Sequence, residues 1–550
     1  NSEAFGIDKN LVNIPPSNSV RCLPQGSPRR PVLLTENGKY QVLLIEAGGD
    51  PPIESLVSAF NYMKKSQYDW NLTTINDVYT SQEHKRHILE LTSGKMLGGS
   101  SSLGHLVYDR GNPHDYNTWA ENINDPAWNY YNLLPYFKKS ECLTDDKIHN
   151  SSTGIYHGYN GKTGVRRQSQ KIIHKYLRAM KQDRHNILLD GNGHQTLGYF
   201  DAMLMIKDGY RQSTAYTYLS PARNRPNLHV LKQTEVIEIN FEGDRAIGVT
   251  AVKNEKIIKI KTKREVIVSA GAIKSPHLLM LSGIGDDLES YNITVRSDLP
   301  VGKNYQDHLE VILVHKLNVR NVRSTPVDPH DFPVAMFMGN VALNKLQTYP
   351  DYQTINYVIP SDSDYILQLC SISYSFNDDL CQSLYNKTKG SEILFTKLIL
   401  SHPNSRGHVV LENNNYKHAP IVISGFFYHN EDLKRVVEYI KDFNEIAKTT
   451  VFRKFHAKFI HLDTPDCTNM ARTSASCWDS YALSMMGTAN HYSGTCSMGA
   501  VVDGRLKVLG VRGLRVIDAS VIPSITSGSI QSAVMAIAEK GADLVLEDYE

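Results

Sequence analysis

The chain has 550 residues, 41% of them hydrophobic and 21% charged, which is enough for a large core and too long for one ordinary domain. Its 59 basic and 57 acidic residues leave a net charge of +2, so there is no electrostatic ground for a nucleic acid or an anionic membrane as partner. No apolar run reaches the roughly 18 residues of a membrane span, and a small molecule is the expected partner.

In chain order, residues 1–33 carry Pro15, Pro16, Pro24, Pro28 and Pro31 with neither alternation nor a helical period, and read as an irregular segment. The chain starts at Asn1 without a signal peptide, so a processed product or a missing N-terminus is expected. Val42 to Ile45 read as a buried parallel strand that ends in Glu46 and a Gly48-Gly49 pair. A dinucleotide-binding fold ends its second strand this way, with the acid on a ribose, and needs a glycine-rich phosphate loop about 20 residues earlier. No G-x-G-x-x-G precedes Glu46. Helices are predicted over 129–139 and 170–182, strands between 228 and 268, and a helix starting behind Ser275-Pro276. Residues 310–425 read as irregular. Leu433, Val436, Val437, Ile440, Phe443 and Ile446 share one face of a helix over 432–448. A strand over 514–518 and a helix over 529–547 close the chain.

Seven cysteines are too few for a disulfide scaffold, but Cys370/Cys381 and Cys467/Cys477 each flank one short segment, with Cys22, Cys142 and Cys496 scattered. With sequons at Asn71, Asn150, Asn292 and Asn386 this points to an extracellular, glycosylated protein, the alternative being a cytosolic enzyme with free thiols.

Four small-residue clusters stand out: SGKMLGGSSS (93–102), SAGAIKSPHLLMLSGIG (269–285), HYSGTCSMG (491–499) and LRVIDASVIPSITSGS (514–529). Bare backbone N–H groups and helix N-termini suit a phosphate or a flat ring. Their order resembles the glucose-methanol-choline (GMC) flavin oxidoreductases, nearest the arthropod glucose-dehydrogenase-like or ecdysone-oxidase-like branch. GKMLGGSSSL and GAIKSPHLLMLSGIG resemble the two family signatures. VGKNYQDH (301–308) is similar to a third motif, with Tyr305 where Leu is usual, and VDGRLKVLGVRGLRVIDASVIP and AIAEKGADLVLED to the C-terminal block.

The resemblance implies an α/β protein. Its FAD-binding Rossmann-like domain would be discontinuous (34–155, 195–310 and 490–550), with an incomplete N-terminal element. An α+β substrate domain with an antiparallel sheet would take 156–194 and 311–489. It implies FAD as cofactor and no metal. Glu46 would bind the adenosine ribose. Lys95, Gly98, Gly99, Ser100, Ser101 and Ser102 would run along pyrophosphate and flavin, Val236 along the adenine, Ala270 and Gly271 by the adenosine half, and Asp518 and Ala519 by pyrophosphate and ribityl chain. His491 would take the proton of an alcohol while hydride passes to flavin, with oxygen or a quinone as final acceptor. Glu46 as a helix cap is the competing reading, and His105, His277 and His308 read as packed or surface residues.

Three departures bear on function: the missing glycine loop, Gly104 where the first signature has Asn or His, and Gln531 where a second catalytic Asn or His stands. Gln has the amide chemistry of Asn on a longer arm, and about 1 Å of misplacement costs on the order of a hundredfold in rate. The chain is therefore expected to be a working FAD alcohol oxidoreductase, a truncated form that has lost FAD, or a GMC fold recruited to lyase or ligand-binding work.

Overall fold

Strand β1 (Val42–Ile45) pairs in parallel with β3 (Leu228–Leu231), Val42 opposite Leu228 and Ile45 opposite Leu231. The computed structural model describes residues 33–57, 63–319, 332–361, 363–461 and 474–550. The irregular segment read over 1–33 lies outside them except for its last residue, as do Cys22 and Cys467. In chain order there follow helices α1 (Tyr130–Ser140) and α2 (Ile173–Gln182), β2 (Gly198–Asp201), and β3. The meander β4 (Thr234–Glu242), β5 (Arg245–Lys253) and β6 (Lys256–Lys261) is antiparallel throughout. Then β7 (Val266–Val268) leads into α3 (Gly271–Leu281). Strand β7 pairs in parallel with β14 (Leu514–Val516), which lies 248 residues on at Val266 opposite Leu514.

The α/β class stands, and the nucleotide-type sheet is split. Strands β1/β3 and β7/β14 are two separate parallel pairs, so among the described residues β1 and β7 each keep an unpaired edge. Parallel strands are ordinarily covered on both faces. Here Leu43 is 41% and Leu44 36% exposed.

The segment read as irregular over 310–425 is not irregular. It supplies β8 (Leu309–Leu317), β9 (Ala335–Val341), β10 (Tyr352–Ile359) and β11 (Glu392–Leu400), followed by α4 (Asn430–Asn444), β12 (Lys458–Phe459) and β13 (Met486–Thr488). Together with β2 these form one antiparallel sheet in the order β12-β8-β11-β10-β9-β2, with β13 also on β8. Every residue of β9, β10 and β11 is buried. A strand covered on both faces loses the period-two signature that marks a half-exposed strand, which is why the sequence reading passed over it. Helix α4 lays Leu433, Val436, Val437, Ile440 and Phe443 against the core as its periodicity predicts. Helix α5 (Gln531–Tyr549) closes the chain and packs on α1.

Helix α3 begins four residues before the predicted Ser275-Pro276 start. Pro276 sits inside it and has no N–H to give the carbonyl of Ala272. That carbonyl is satisfied instead by the Thr495 hydroxyl at 2.6 Å, from the HYSGTCSMG cluster. Cys370 and Cys381 form a disulfide, Cys142 and Cys477 each belong to a disulfide of their own, and Cys496 is free and buried.

Candidate functional site

The end of β1 is stitched to the first glycine cluster. Leu97 N–H donates to the Gly49 carbonyl at 2.9 Å, and a Cβ on Gly48 would fall 1.9 Å from the Lys95 carbonyl oxygen, so only glycine permits this approach. Glu46 Oε1 accepts from Gly48 N–H at 2.8 Å. Burial raises the Glu46 carboxyl above its ordinary value, against the opposing pull of the Gly48 and Ala47 amides and Lys95. The competing reading of Glu46 as a helix cap finds no support, because Ile53–Leu56, the next helical turn, is capped by Pro52.

The glycine loop itself turns on left-handed backbone at Gly98 (φ +87°) and Gly99 (φ +52°). A Cβ on Gly99 would meet nothing within 4 Å, whereas one on Gly94 would strike Gly99 at 2.4 Å. The loop is closed on its inner side and open on its outer side. Ser101 Oγ is spent inside, donating to the Gly98 carbonyl at 2.6 Å and accepting from Thr214 N–H at 3.0 Å. Ser100 is exposed, and Ser102 is buried. Lys95 Nζ lies 4.5 Å from the Trp70 ring centroid, and Lys274 Nζ 4.5 Å from the same centroid.

Asp518 joins the second half. Its Oδ2 accepts from Gly271 N–H at 2.9 Å and Ser275 Oγ at 2.5 Å, and its Oδ1 from Ser520 N–H at 2.8 Å and Ser520 Oγ at 2.5 Å. The carboxylate is thus fully engaged by the chain, holding the N-terminus of α3 against the turn after β14. Gly271 has φ +83° with open space where a Cβ would be. Ala270 is exposed and Ala519 half-buried beside it. Val236 sits half-buried on β4 at a bulge between Val236 and Glu238.

His491 follows β13 and is anchored twice. Its backbone N–H donates to Asp307 Oδ1 at 2.8 Å, while Thr488 Oγ1 donates to Asp307 Oδ2. Its ring meets His308 with Nδ1 to Nδ1 at 2.8 Å, edge-on at 81°. His308 Nε2 lies 3.2 Å from the Ser401 carbonyl. Burial is the main force holding both imidazoles below their ordinary value, His308 down to about 4 and His491 well below, where the His308, Lys397 and His105 charges add to it. Both rings are neutral at physiological pH. His308 is packed, as the sequence suggested, but packed against His491. Its position straight after Asp307 at the mouth of a buried strand was the available signal. His277 is buried, and His105 is half-buried with Nδ1 unpartnered. Gln531 is the first residue of α5 and half-buried. Among the described residues no hydrogen bond joins it to His491. Gly104 gives its carbonyl to Arg211 Nη1 at 2.5 Å.

Asp307 is fully buried, and desolvation, with Glu310 adding to it, moves its carboxyl from the ordinary 3.8 up to about 7. The folded chain therefore holds this proton more tightly than the unfolded chain between these two values. The stability it contributes is complete below the unfolded value and is lost as pH rises through the folded one. Asp307→Asn is expected to flatten the pH dependence of stability between about pH 4 and pH 7, checked by urea unfolding across that range. An unchanged slope would contradict the assignment.

Two family models, both described as GMC oxidoreductase, match residues 43–310 and 403–538. The chain belongs to the GMC oxidoreductase family. Ecdysone oxidase of Bombyx mori is 37% identical over 94% of this chain and 79% of its own length. Glucose dehydrogenase [FAD, quinone] of Drosophila melanogaster is 31% identical over 93% and 84%. The fold is shared with solved structures of formate oxidase from Aspergillus oryzae (TM-score 0.79, 24% identity, 94% of this chain and 95% of that one) and pyridoxine 4-oxidase from Mesorbium loti (TM-score 0.77, 24% identity, 94% and 96%). Among the described residues no helix is long and apolar enough to cross a membrane.

Proposed function

We propose that the chain is an FAD-dependent oxidoreductase that takes a CH–OH donor to the carbonyl, with His491 as base. The observation that carries this is a neutral imidazole held by Asp307 and His308 in a family whose relatives carry out this class of oxidation. FAD is the cofactor of the family, and the open-faced turns at Gly99 and Gly271, where a side chain would meet only space, fit a flat, phosphate-bearing group. Glu46, Lys95, Gly98 to Ser101, Val236, Ala270, Asp518 and Ala519 would hold it. The domain division at 34–155, 195–310 and 490–550 against 156–194 and 311–489 belongs to the same proposal.

When bound, FAD supplies the acceptor for the hydride. The chain's own part is to orient the hydroxyl and take its proton. A neutral imidazole, its ring hydrogen-bonded to another imidazole and its backbone N–H to Asp307, does so without first having to lose a proton. Gln531, at the start of α5, would bear on the hydroxyl through its amide. A sterol alcohol is the first substrate to test, because Bombyx mori ecdysone oxidase shares 37% of residues with this chain against 31% for the Drosophila melanogaster glucose dehydrogenase. Oxygen or a quinone would reoxidise the cofactor. An extracellular location is supported by the Cys370–Cys381 disulfide and by the exposure of all four sequon residues, Asn71, Asn150, Asn292 and Asn386.

The unpaired edges of β1 and β7 favour one rival, a GMC fold without FAD, serving as a lyase or binding protein. One experiment separates the two. The purified chain, supplied with FAD, is freed of excess cofactor and mixed anaerobically with a polyhydroxylated sterol. Retained flavin absorbance that bleaches is the expected result. A protein that stays colourless overturns the redox reading.

A further inference from the structure

The contact between His308 and His491 carries more than packing. A backbone carbonyl only accepts hydrogen bonds, so His308 Nε2, 3.2 Å from the Ser401 carbonyl, carries a proton. A neutral imidazole has one proton, and His308 is held neutral by burial, its value brought down to about 4. Its Nδ1 is therefore a bare lone pair. The Nδ1 to Nδ1 separation of 2.8 Å is a hydrogen bond only if His491 Nδ1 is the donor. His491 is also neutral, so its single proton is then accounted for. Its Nε2 makes no hydrogen bond among the described residues.

Resting on the assignment of His491 as base, we infer that His308 is a positioning residue that fixes the tautomer of His491, keeping the proton on Nδ1 and Nε2 bare toward the substrate hydroxyl. The chain of acceptance runs Ser401 carbonyl, His308, His491, and leaves a lone pair at its far end. The Asp307 bond to the His491 backbone N–H sets where the residue sits. The His308 contact sets which nitrogen is able to take a proton. The other tautomer would point two lone pairs at each other across 2.8 Å and present an N–H to the hydroxyl.

The first test is spectroscopic and needs no turnover. In the full chain labelled with 15N-histidine, the His491 resonances are found by difference from the His491→Asn protein. A protonated Nδ1 with an unprotonated Nε2 is expected. A protonated Nε2 overturns the inference. The second test compares two substitutions. In His308→Asn the amide oxygen falls near the place of Nδ1 and still accepts from His491. In His308→Gln the amide reaches the place of Nε2 and the Nδ1 acceptor is gone. The expected loss in kcat is about a hundredfold for His308→Gln and under about tenfold for His308→Asn, with KM held in both. Equal losses in the two variants, or a loss confined to KM, overturn it. Retention of full activity by His491→Asn would sink the base assignment, while the tautomer found in the native chain stands by itself.

Discussion

Replacing His491 by asparagine is expected to slow anaerobic reduction of bound flavin by an alcohol by about 10²–10⁴-fold, the range for losing a general base. Asparagine keeps the backbone N–H that Asp307 accepts at 2.8 Å, so the local chain path is preserved. It keeps a donor for His308 as well, but no imidazole lone pair to take the hydroxyl proton. Flavin content and the urea midpoint should therefore be unchanged, which separates lost chemistry from lost structure. Stopped-flow reduction at several pH values is the measurement. A variant that reduces its flavin at the native rate would remove His491 from the reaction.

The second large effect is structural. Arg110, Glu141 and His157 are 1% exposed or less, and Asp190 is 3% exposed. Arg110 Nη2 donates to Glu141 Oε2 at 2.6 Å, and His157 lies between Glu141 Oε1 at 2.9 Å and Asp190 Oδ2 at 3.0 Å. Burial opposes a charge on His157, but Glu141 and Asp190 outweigh it and raise its value. Both ring nitrogens of His157 face a carboxylate oxygen, so it donates twice, and the group pairs Arg110 and His157 with Glu141 and Asp190. Arg110→Met removes one cation and leaves a buried negative charge, at a cost of about 3–5 kcal/mol. The expected readout is a lowered urea midpoint for the unit that contains Glu141. A second consequence reaches the candidate site. The backbone N–H of residue 110, which the substitution keeps, donates to Asn192 Oδ1 at 2.7 Å, and the adjoining Asp109 carbonyl accepts from Ser532, the neighbour of Gln531. Loosening the Asp109 turn should therefore lower kcat even under conditions where the variant remains folded. An unfolding free energy within about 0.5 kcal/mol of native would show that the charge has found another partner.

Much of the glycine-rich part of the candidate site was legible in the residues. Its parts are backbone devices, and glycine is the one residue whose identity reports backbone geometry. Gly48 is there because a Cβ would strike Lys95, and Gly98 because φ is +87°. The pairing of β1 with β3 and of β7 with β14 was not legible, since parallel partners lie far apart in sequence and no local signal marks them. The β9–β11 core was misread for the reason that makes it stable. Both faces are buried, and the polar residues the strands do carry, such as Gln353, Thr354, Asn356, Thr396 and Lys397, are buried with the apolar ones and fall on no period of two. Pro276 misplaced the start of α3, because a proline is read as a boundary, and the hydroxyl that compensates for it comes from Thr495, more than two hundred residues away. His308 was missed because a histidine among 21 reveals its partner only in three dimensions.

Asp518 ties residues 271 and 275 to a turn 247 and 243 residues further along, and β7 waits as long for β14. Loop closure over such distances is slow, so the antiparallel sheet, built between residues 309 and 488 apart from its edge strand β2, has its partners available first. A nascent chain stalled before Leu514 would carry a finished antiparallel sheet and leave β7 and the start of α3 without their partners. Any device that delays or trims the chain from Leu514 onward therefore acts as a switch on the closing of β7 and the start of α3, and takes Gln531 with it.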